Sequence, residues 1–386
     1  MKILHVCLAA FYIDNYSYQE NILPRMHKEM GHDVKILSST ETYINGKKLG
    51  YIKPSVYINE YGIEVTRIPY VKWLPLCISK KLRIYPHILS YLESFEPDFI
   101  FLHDVQFLSV KEIKKYIKNR PNVRVVADGH SDFSNSANTF LSRWILHGFI
   151  YKPSIKRIEP YIEHFYGTLP ARVDFFNIVY KIPKSKISFL PMGVDDFMVE
   201  KYATPENFFR IREINGISNY DFLIVTGGKI DSFKKQTLLL MKAVKELKND
   251  RIKMLIFGSV SDSIKDEFDS LCDDRIKYLG WADVAQSYLY FNAADIVCFP
   301  GRHSVYWEQA AGLGKPMIVK HWEGTTHVDL GGNVIFLHND SVEEIREVIS
   351  NLFTDSSRLN EMKKIAREKC NFFSYKCIAK KVIDKD

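Results

Sequence analysis

The stretch FLIVTGGKIDSFKKQTLLL (222–240) runs from an apolar segment through Gly227 and Gly228 into a lysine-rich turn and then an amphipathic segment. Glycine lets a backbone approach a ligand closely, and a helix opening just beyond it offers free N–H groups and the positive end of its dipole. With Lys229 and Lys235 beside it, the turn has the chemistry of a diphosphate cradle. The spacing is neither a Walker loop nor G-x-G-x-x-G, so a plain glycine turn with surface lysines stands as the alternative. A second stretch, GRHSVYWEQAAGLGKPMIV (301–319), follows an apolar run and opens a helical pattern near Ser304, with Glu308 one turn in. The two oxygens of a carboxylate match the spacing of vicinal hydroxyls, such as those of a ribose. Against this, Glu308 can simply complement the helix dipole, an effect of about 0.3–1 kcal/mol. His130 follows the run VRVVADG, where a loop imidazole either meets a ligand or makes an ordinary hydrogen bond.

These residues need strands to carry them, and the sequence supplies a regular series. Short apolar, β-branched runs alternate with longer amphipathic ones, the pattern of parallel strands joined by crossover helices. Strands are predicted at 2–9, 33–39, 98–104, 123–129, 164–169 and 186–192, and again at 222–228, 253–259, 276–280, 295–301, 316–321 and 333–339. Helices are predicted over 18–32, 235–250, 283–294 and 342–355. The segment 195–220 lacks a strand signal and reads as the linker between two sheets, with the boundary near residue 205. In such sheets ligands bind beyond the carboxyl ends of the strands, which is where the residues above lie.

The 386 residues allow two ordinary domains, and 46% hydrophobic with 26% charged residues is the composition of a folded enzyme and not of a disordered chain. No apolar run approaches the roughly 20 residues that span a bilayer, and the opening MKILHVCLAAF reads as a buried strand, so a cytoplasmic location is expected. The six cysteines lack metal-type spacing, and neither disulfides nor zinc is expected. Residues 1–190 carry a net charge of +9 and the remainder −2, so the first half is the one suited to an anionic surface. Two stretches in it, 71–92 and 140–158, mix aromatic, aliphatic and basic residues as an interfacial helix does. An ordinary helix with its apolar side in the core has the same pattern. Basic residues are spread without a nucleic-acid-binding motif, so nucleic acid is not expected as a partner.

Taken in order, LPMGVDDF (190–197), GGKIDSFKK (227–235), YLGWADVAQSYLYFNAADIVCFPG (278–301), EQAAGLGKPMIV (308–319) and the tail IAREKCNFFSYKCIAKKV (365–382) resemble the family 4 (group 1) glycosyltransferases. The first half is similar more loosely, through ILHVCLAAF (3–11), MGHDVKIL (30–37) and PDFIFLHD (97–104). The resemblance implies an α/β GT-B fold with two Rossmann-like domains facing across a cleft. Residues 1–204 would take the acceptor and 205–370 the nucleotide sugar, with a last helix, 371–386, returning to the first domain. It implies a retaining, metal-independent transfer from a nucleotide diphosphate sugar, UDP- or GDP-linked, to a glycan or lipid-linked acceptor in bacterial cell-surface polysaccharide synthesis. No other cofactor is implied, and peripheral contact with the cytoplasmic face of the membrane is.

By position, the resemblance places Gly228, Lys229 and Lys235 on the diphosphate, Trp281 by the base and Glu308 on the ribose. Lys235 and His130 take the catalytic positions, the lysine offsetting charge on the leaving diphosphate. Asn15, Tyr16, Ser17, His103 and Asp104 fall on the acceptor side. One departure stands out: where the family carries a further glutamate, eight positions before Glu308, this chain has Pro300. Contacts to the donor sugar then fall to Arg302, His303 and the backbone N–H groups of His303, Ser304 and Val305. The rival readings are another GT-B enzyme, such as an epimerase or a phosphorylase, and a nucleotide-binding protein without transfer activity.

Overall fold

The computed structural model describes residues 1–44, 48–137, 139–231 and 235–384. It divides into two compact units, Met1–Pro191 with Ile378–Asp386, and Met192–Cys377.

The first unit holds β1 (Lys2–Cys7), β2 (Asp33–Ser39), β3 (Glu41–Ile44), β4 (Lys48–Tyr51), β5 (Ser55–Ile58), β6 (Glu64–Ile68), β7 (Phe99–Leu102), β8 (Arg124–Gly129), β9 (His164–Gly167) and β10 (Ile187–Phe189). Eight of these form one sheet in the order β10-β9-β8-β7-β1-β2-β6-β5, parallel except for β5, while β3 and β4 make a separate ribbon. The inner strands are buried along most of their length because helices cover both faces of such a sheet. All four residues of β7 are buried, for example.

The second unit holds β11 (Phe222–Ile230), β12 (Ile252–Val260), β13 (Ile276–Tyr278), β14 (Ile296–Phe299), β15 (Met317–Lys320) and β16 (Val334–Leu337), all parallel in the order β13-β12-β11-β14-β15-β16. Each sheet therefore starts in its middle and grows first to one side and then to the other. The order reverses between β1 and β7 in one and between β11 and β14 in the other. At such a reversal neighbouring loops part and leave a crevice at the carboxyl ends of the strands.

All twelve predicted strands are present, but the unit boundary falls at Pro191, ahead of the expected residue 205. The supposed linker is two helices, Asp196–Tyr202 and Pro205–Ile214, packed on the second unit. Asp195 and Thr204 cap them, each side chain accepting a backbone N–H of the first turn. Val194 N donates to Phe373 O at 2.7 Å, and Asp195 N to the Tyr288 hydroxyl. The buried Arg212 donates to Ala293 O and pairs with Asp295 at 3.1 Å. These polar anchors are invisible to a reading that looks only for apolar periodicity. At the other end, Ile378–Asp386 cluster with the first unit, where Ala379 O meets His27 Nε2 at 3.2 Å.

Candidate functional site

In the second unit the chain opposite the β11/β14 reversal is built on glycines. Gly228 has φ +117°, a conformation that side-chain-bearing residues rarely adopt. It lies level with Gly258 of β12, where an added Cβ would sit 1.9 Å from Gly228 O. A Cβ on Gly227 would strike the Phe257 ring at 2.3 Å. The two glycines lie within β11, inside the strand predicted over 222–228, and the strand runs on to Ile230, so the turn starts two residues later than expected. Lys229 is correspondingly placed on a strand; its side chain is 71% exposed and its Nζ pairs with Asp231 at 3.0 Å, so this cation is already partnered. Residues 232–234 of the same motif lie outside the described part. Lys235 is exposed at the position preceding the helix Gln236–Glu246.

The loop after β14 comes to the same place. A Cβ on Gly301 would meet Gln236 Oε1 at 3.3 Å, and one on Gly228 would meet the Tyr306 ring at 3.6 Å. The glycine segment, the start of the Gln236 helix and the short helix Tyr306–Gly312 are therefore neighbours. Arg302 and Val305 are exposed beside them, and Ser304 Oγ accepts from Tyr306 N at 3.4 Å. Trp281, 73% exposed, follows Gly280 beyond β13.

Glu308 differs from expectation. It is fully buried, and its Oε1 accepts from both His303 Nε2 and His327 Nε2, each at 2.9 Å. Burial alone would raise its pKa, but the two imidazoles outweigh that and hold the carboxyl below the ordinary glutamate range. Its Oε2 is buried without a hydrogen-bond partner among the described residues, so that oxygen alone is left for a ribose hydroxyl. His303, expected at the donor sugar, has its Nε2 committed to this carboxylate. The donor atoms of His303, Glu308 and His327 lie within 4.8 Å of one another, a set able to hold a divalent cation in place of the two hydrogen bonds. His327 lies in WEGTTHVDL, an irregular stretch whose sequence carries no signal of this role.

In the first unit, His130 is partly exposed at the carboxyl end of β8, with Nε2 3.4 Å from Asp128 Oδ2. Burial would lower its pKa, but the Asp128 carboxylate outweighs it and raises the value above the ordinary one. The five residues expected on the acceptor side lie in two different surroundings. Tyr16 sits 5.1 Å, ring to ring, from Tyr18, and Ser17 is exposed next to it. Asn15 takes a left-handed conformation at φ +62° and donates its N–H to Glu60. His103 and Asp104, in contrast, are buried: His103 faces His5 and Asp128, and Asp104 Oδ1 caps the N–H of Val105 at 2.7 Å. The loop after β7 turns inward, because its polar side chains satisfy the backbone of the reversal instead of facing solvent.

No family model matches the chain, and no curated relative matches it by sequence. Solved structures do. A glycosyltransferase from Rickettsia africae ESF-5 aligns over 99% of this chain and 96% of its own, with a TM-score of 0.69 and 15% identity. The chain has the GT-B fold. HepE of Anabaena, solved with UDP and glucose, shares the GT-B fold at TM-score 0.63 and 14% identity, over 99% of this chain and 98% of its own. So does the UDP-GlcNAc 2-epimerase of Neisseria meningitidis bound to UDP-GlcNAc, at TM-score 0.63 and 12% identity, again over 99% and 98%. At these identities the likeness establishes the GT-B architecture, and the chemistry has to be argued from the residues.

Proposed function

We propose that this protein is a retaining, metal-independent glycosyltransferase that moves a sugar from a UDP- or GDP-linked donor to a glycan or lipid-linked acceptor in bacterial cell-surface polysaccharide synthesis. The observation that carries the reading is the convergence at the β11/β14 reversal of Gly228, the start of the Gln236 helix, Gly301 and the Tyr306–Gly312 helix. A diphosphate lying on that backbone meets no side chain at Gly228 and meets Lys235 and the first N–H groups of the Gln236 helix. Lys235 then offsets charge on the departing diphosphate, the main electrostatic demand of a transition state that resembles an oxocarbenium ion parting from a phosphate. Trp281 offers a flat exposed face to a base, Arg302 reaches toward the sugar in place of the missing glutamate, and His130 meets sugar or acceptor.

Pro300 favours one second reading, a nucleotide-binding protein without turnover. A panel of nucleotide sugars, scored for thermal stabilisation, nucleotide release and sugar isomerisation, separates the cases. Transfer releases nucleotide in the presence of an acceptor. Stabilisation without release supports the binding protein, a change in the sugar alone supports an epimerase, and no stabilisation by any donor sinks all three.

Membrane association is part of the proposal and rests on an apolar face. Trp144 and Phe149 of the helical segment Leu141–Tyr151 are 54% and 77% exposed, and Trp73, far off in the sequence, is 74% exposed; exposed aromatic rings of this kind mark an interaction site. Trp73 and Phe149 also line a cavity of about 690 Å³ together with Lys111, Lys114 and Arg157, which suits anionic headgroups. No helix among the described residues is long and apolar enough to cross a membrane. The double variant Trp144→Glu, Phe149→Glu is expected to lower co-sedimentation with phosphatidylglycerol vesicles more than tenfold, since each ring withheld from the interface forfeits about 1.5–3 kcal/mol. Binding of the parent protein that ignores anionic lipid and salt would remove this part of the proposal.

A further inference from the structure

Behind His130 lies a line of buried polar groups that the proposed chemistry does not use. It starts at Ala379 O, 3.2 Å from His27 Nε2. His27 Nδ1 is 2.9 Å from His5 Nε2, and His5 Nδ1 is 2.9 Å from His103 Nε2. His103 Nδ1 then faces Asp128 Oδ2 at 3.5 Å. All three imidazoles and Asp128 are fully buried.

The protons in this line can be counted. Both ends, a carbonyl and a carboxylate, only accept, and a neutral imidazole has one N–H. Four contacts in series need four protons, whereas three neutral rings bring three. If His27 donates to Ala379 O, then His5 must donate to His27 and His103 to His5, which leaves the His103 Nδ1 lone pair pointing at a carboxylate. The distances agree with that direction, because the first three contacts have hydrogen-bond length and His103 Nδ1 has no such partner. An imidazole lone pair held against a buried carboxylate is repelled, and a fourth proton turns the repulsion into an ion pair.

We propose that His27, His5 and His103 form a buried proton relay that holds one proton beyond its neutral complement, on His103 Nδ1 against Asp128, and so sets the charge that His130 meets. Asp128 is shared: His103 approaches from the interior and His130 from the partly exposed side, while Gln19 Nε2 donates to its Oδ2 at 3.0 Å and the Asp104 N–H to its Oδ1 at 2.9 Å. Other charges reach the same groups. Glu20 and Arg172 act on His130 with opposite sign, Arg83 and Asp104 lie on the Oδ1 side of the carboxylate, Cys7 lies by Asp128 and Glu20, and His32 flanks the far end at His27. Burial, helped by its two neighbouring imidazoles, keeps His5 well below its ordinary pKa, and burial pushes His27 down to about 3 against the pull of the Ala379 carbonyl. The extra charge therefore collects at the Asp128 end. His27, His5 and His103 are positioning residues in this scheme, since they act on a ligand only through Asp128 and His130.

The test reads the rings themselves. Magic-angle-spinning NMR of the full chain made with ¹⁵N-histidine is expected to show, at pH 7, neutral Nε2–H rings for His27 and His5 and a doubly protonated ring for His103. His27→Phe leaves two contacts for two rings. His5 should then switch to its Nδ1–H form, His103 should become neutral, and the His130 titration midpoint should rise by about one pH unit as Asp128 loses its interior cation. His27→Gln restores a donor for Ala379 O and an acceptor for His5, so it should keep the parent pattern. A neutral His103 in the parent protein, or an unchanged His5 tautomer in a folded His27→Phe protein, overturns the relay. Its functional meaning rests on the reading of His130 as sugar-facing, but the nitrogen shifts need no donor, so failure of the relay and failure of transfer are distinguishable.

Discussion

Replacing Lys235 by alanine is expected to weaken nucleoside diphosphate binding by about 10- to 100-fold, because one charge-assisted hydrogen bond, about 1.5–3 kcal/mol, is lost. The effect is measurable as stabilisation. A ligand present at 100 times its dissociation constant adds about 2.7 kcal/mol to the folded state, and after a 100-fold loss of affinity only about 0.4 kcal/mol remains. The melting shift given by the best nucleotide should all but vanish. Lys229→Ala should change it far less, since that ammonium is mostly solvated and already paired with Asp231. His130→Ala should leave the shift intact while abolishing transfer. A full shift in the Lys235→Ala protein would move the diphosphate elsewhere.

The second large effect belongs to Glu308. Its carboxylate is buried and ties together a loop residue, His303, and a residue far along the chain, His327. Removing one member of a buried, hydrogen-bonded charge set costs about 3–5 kcal/mol, and Glu308→Ala should lower the stability of the second unit by that amount in urea unfolding. Glu308→Gln retains an oxygen for both imidazole N–H groups and should recover most of the loss, yet it puts an amide where Oε2 stands and so should weaken nucleotide binding. The pH dependence has a definite sign. A carboxylate whose folded pKa lies below its unfolded one contributes fully above the unfolded value, about 4.3, and loses that contribution as the pH falls through the folded value. The Glu308→Ala protein should accordingly lose less stability than the parent between pH 5 and acid. Equal urea midpoints for parent and alanine variant would show the triad to be idle.

The repeating strands were readable because a parallel sheet covered on both faces demands apolar runs, and runs such as FIFL at 99–102 admit few other readings. The ribbons between residues 41 and 68 were not. In β5, Val56 and Ile58 are exposed on an edge strand, so the apolar residues there mark no core. At the site, the sequence placed the glycines and Glu308 on neighbouring elements, since strand ends and helix starts follow from the sheet order. Side-chain partners separated by long stretches of chain escaped it. Nothing in the spacing of His303, Glu308 and His327 says that one carboxylate serves two rings, and nothing in KILHVC announces that His5 is one link of three. Periodicity reports which way a residue points, and polar partnership depends on what another segment brings to meet it.

The discontinuous make-up of the first unit has a bearing on how the chain matures. Its terminal stretch, which supplies the carbonyl for His27, leaves the ribosome only after the whole second unit has been made. At about 5–20 residues per second, roughly 190 intervening residues take on the order of 10–40 s. For that interval the newborn amino-terminal half exists without its closing helix, with Nε2 of His27 lacking its acceptor, and it is then most open to chaperones and proteases.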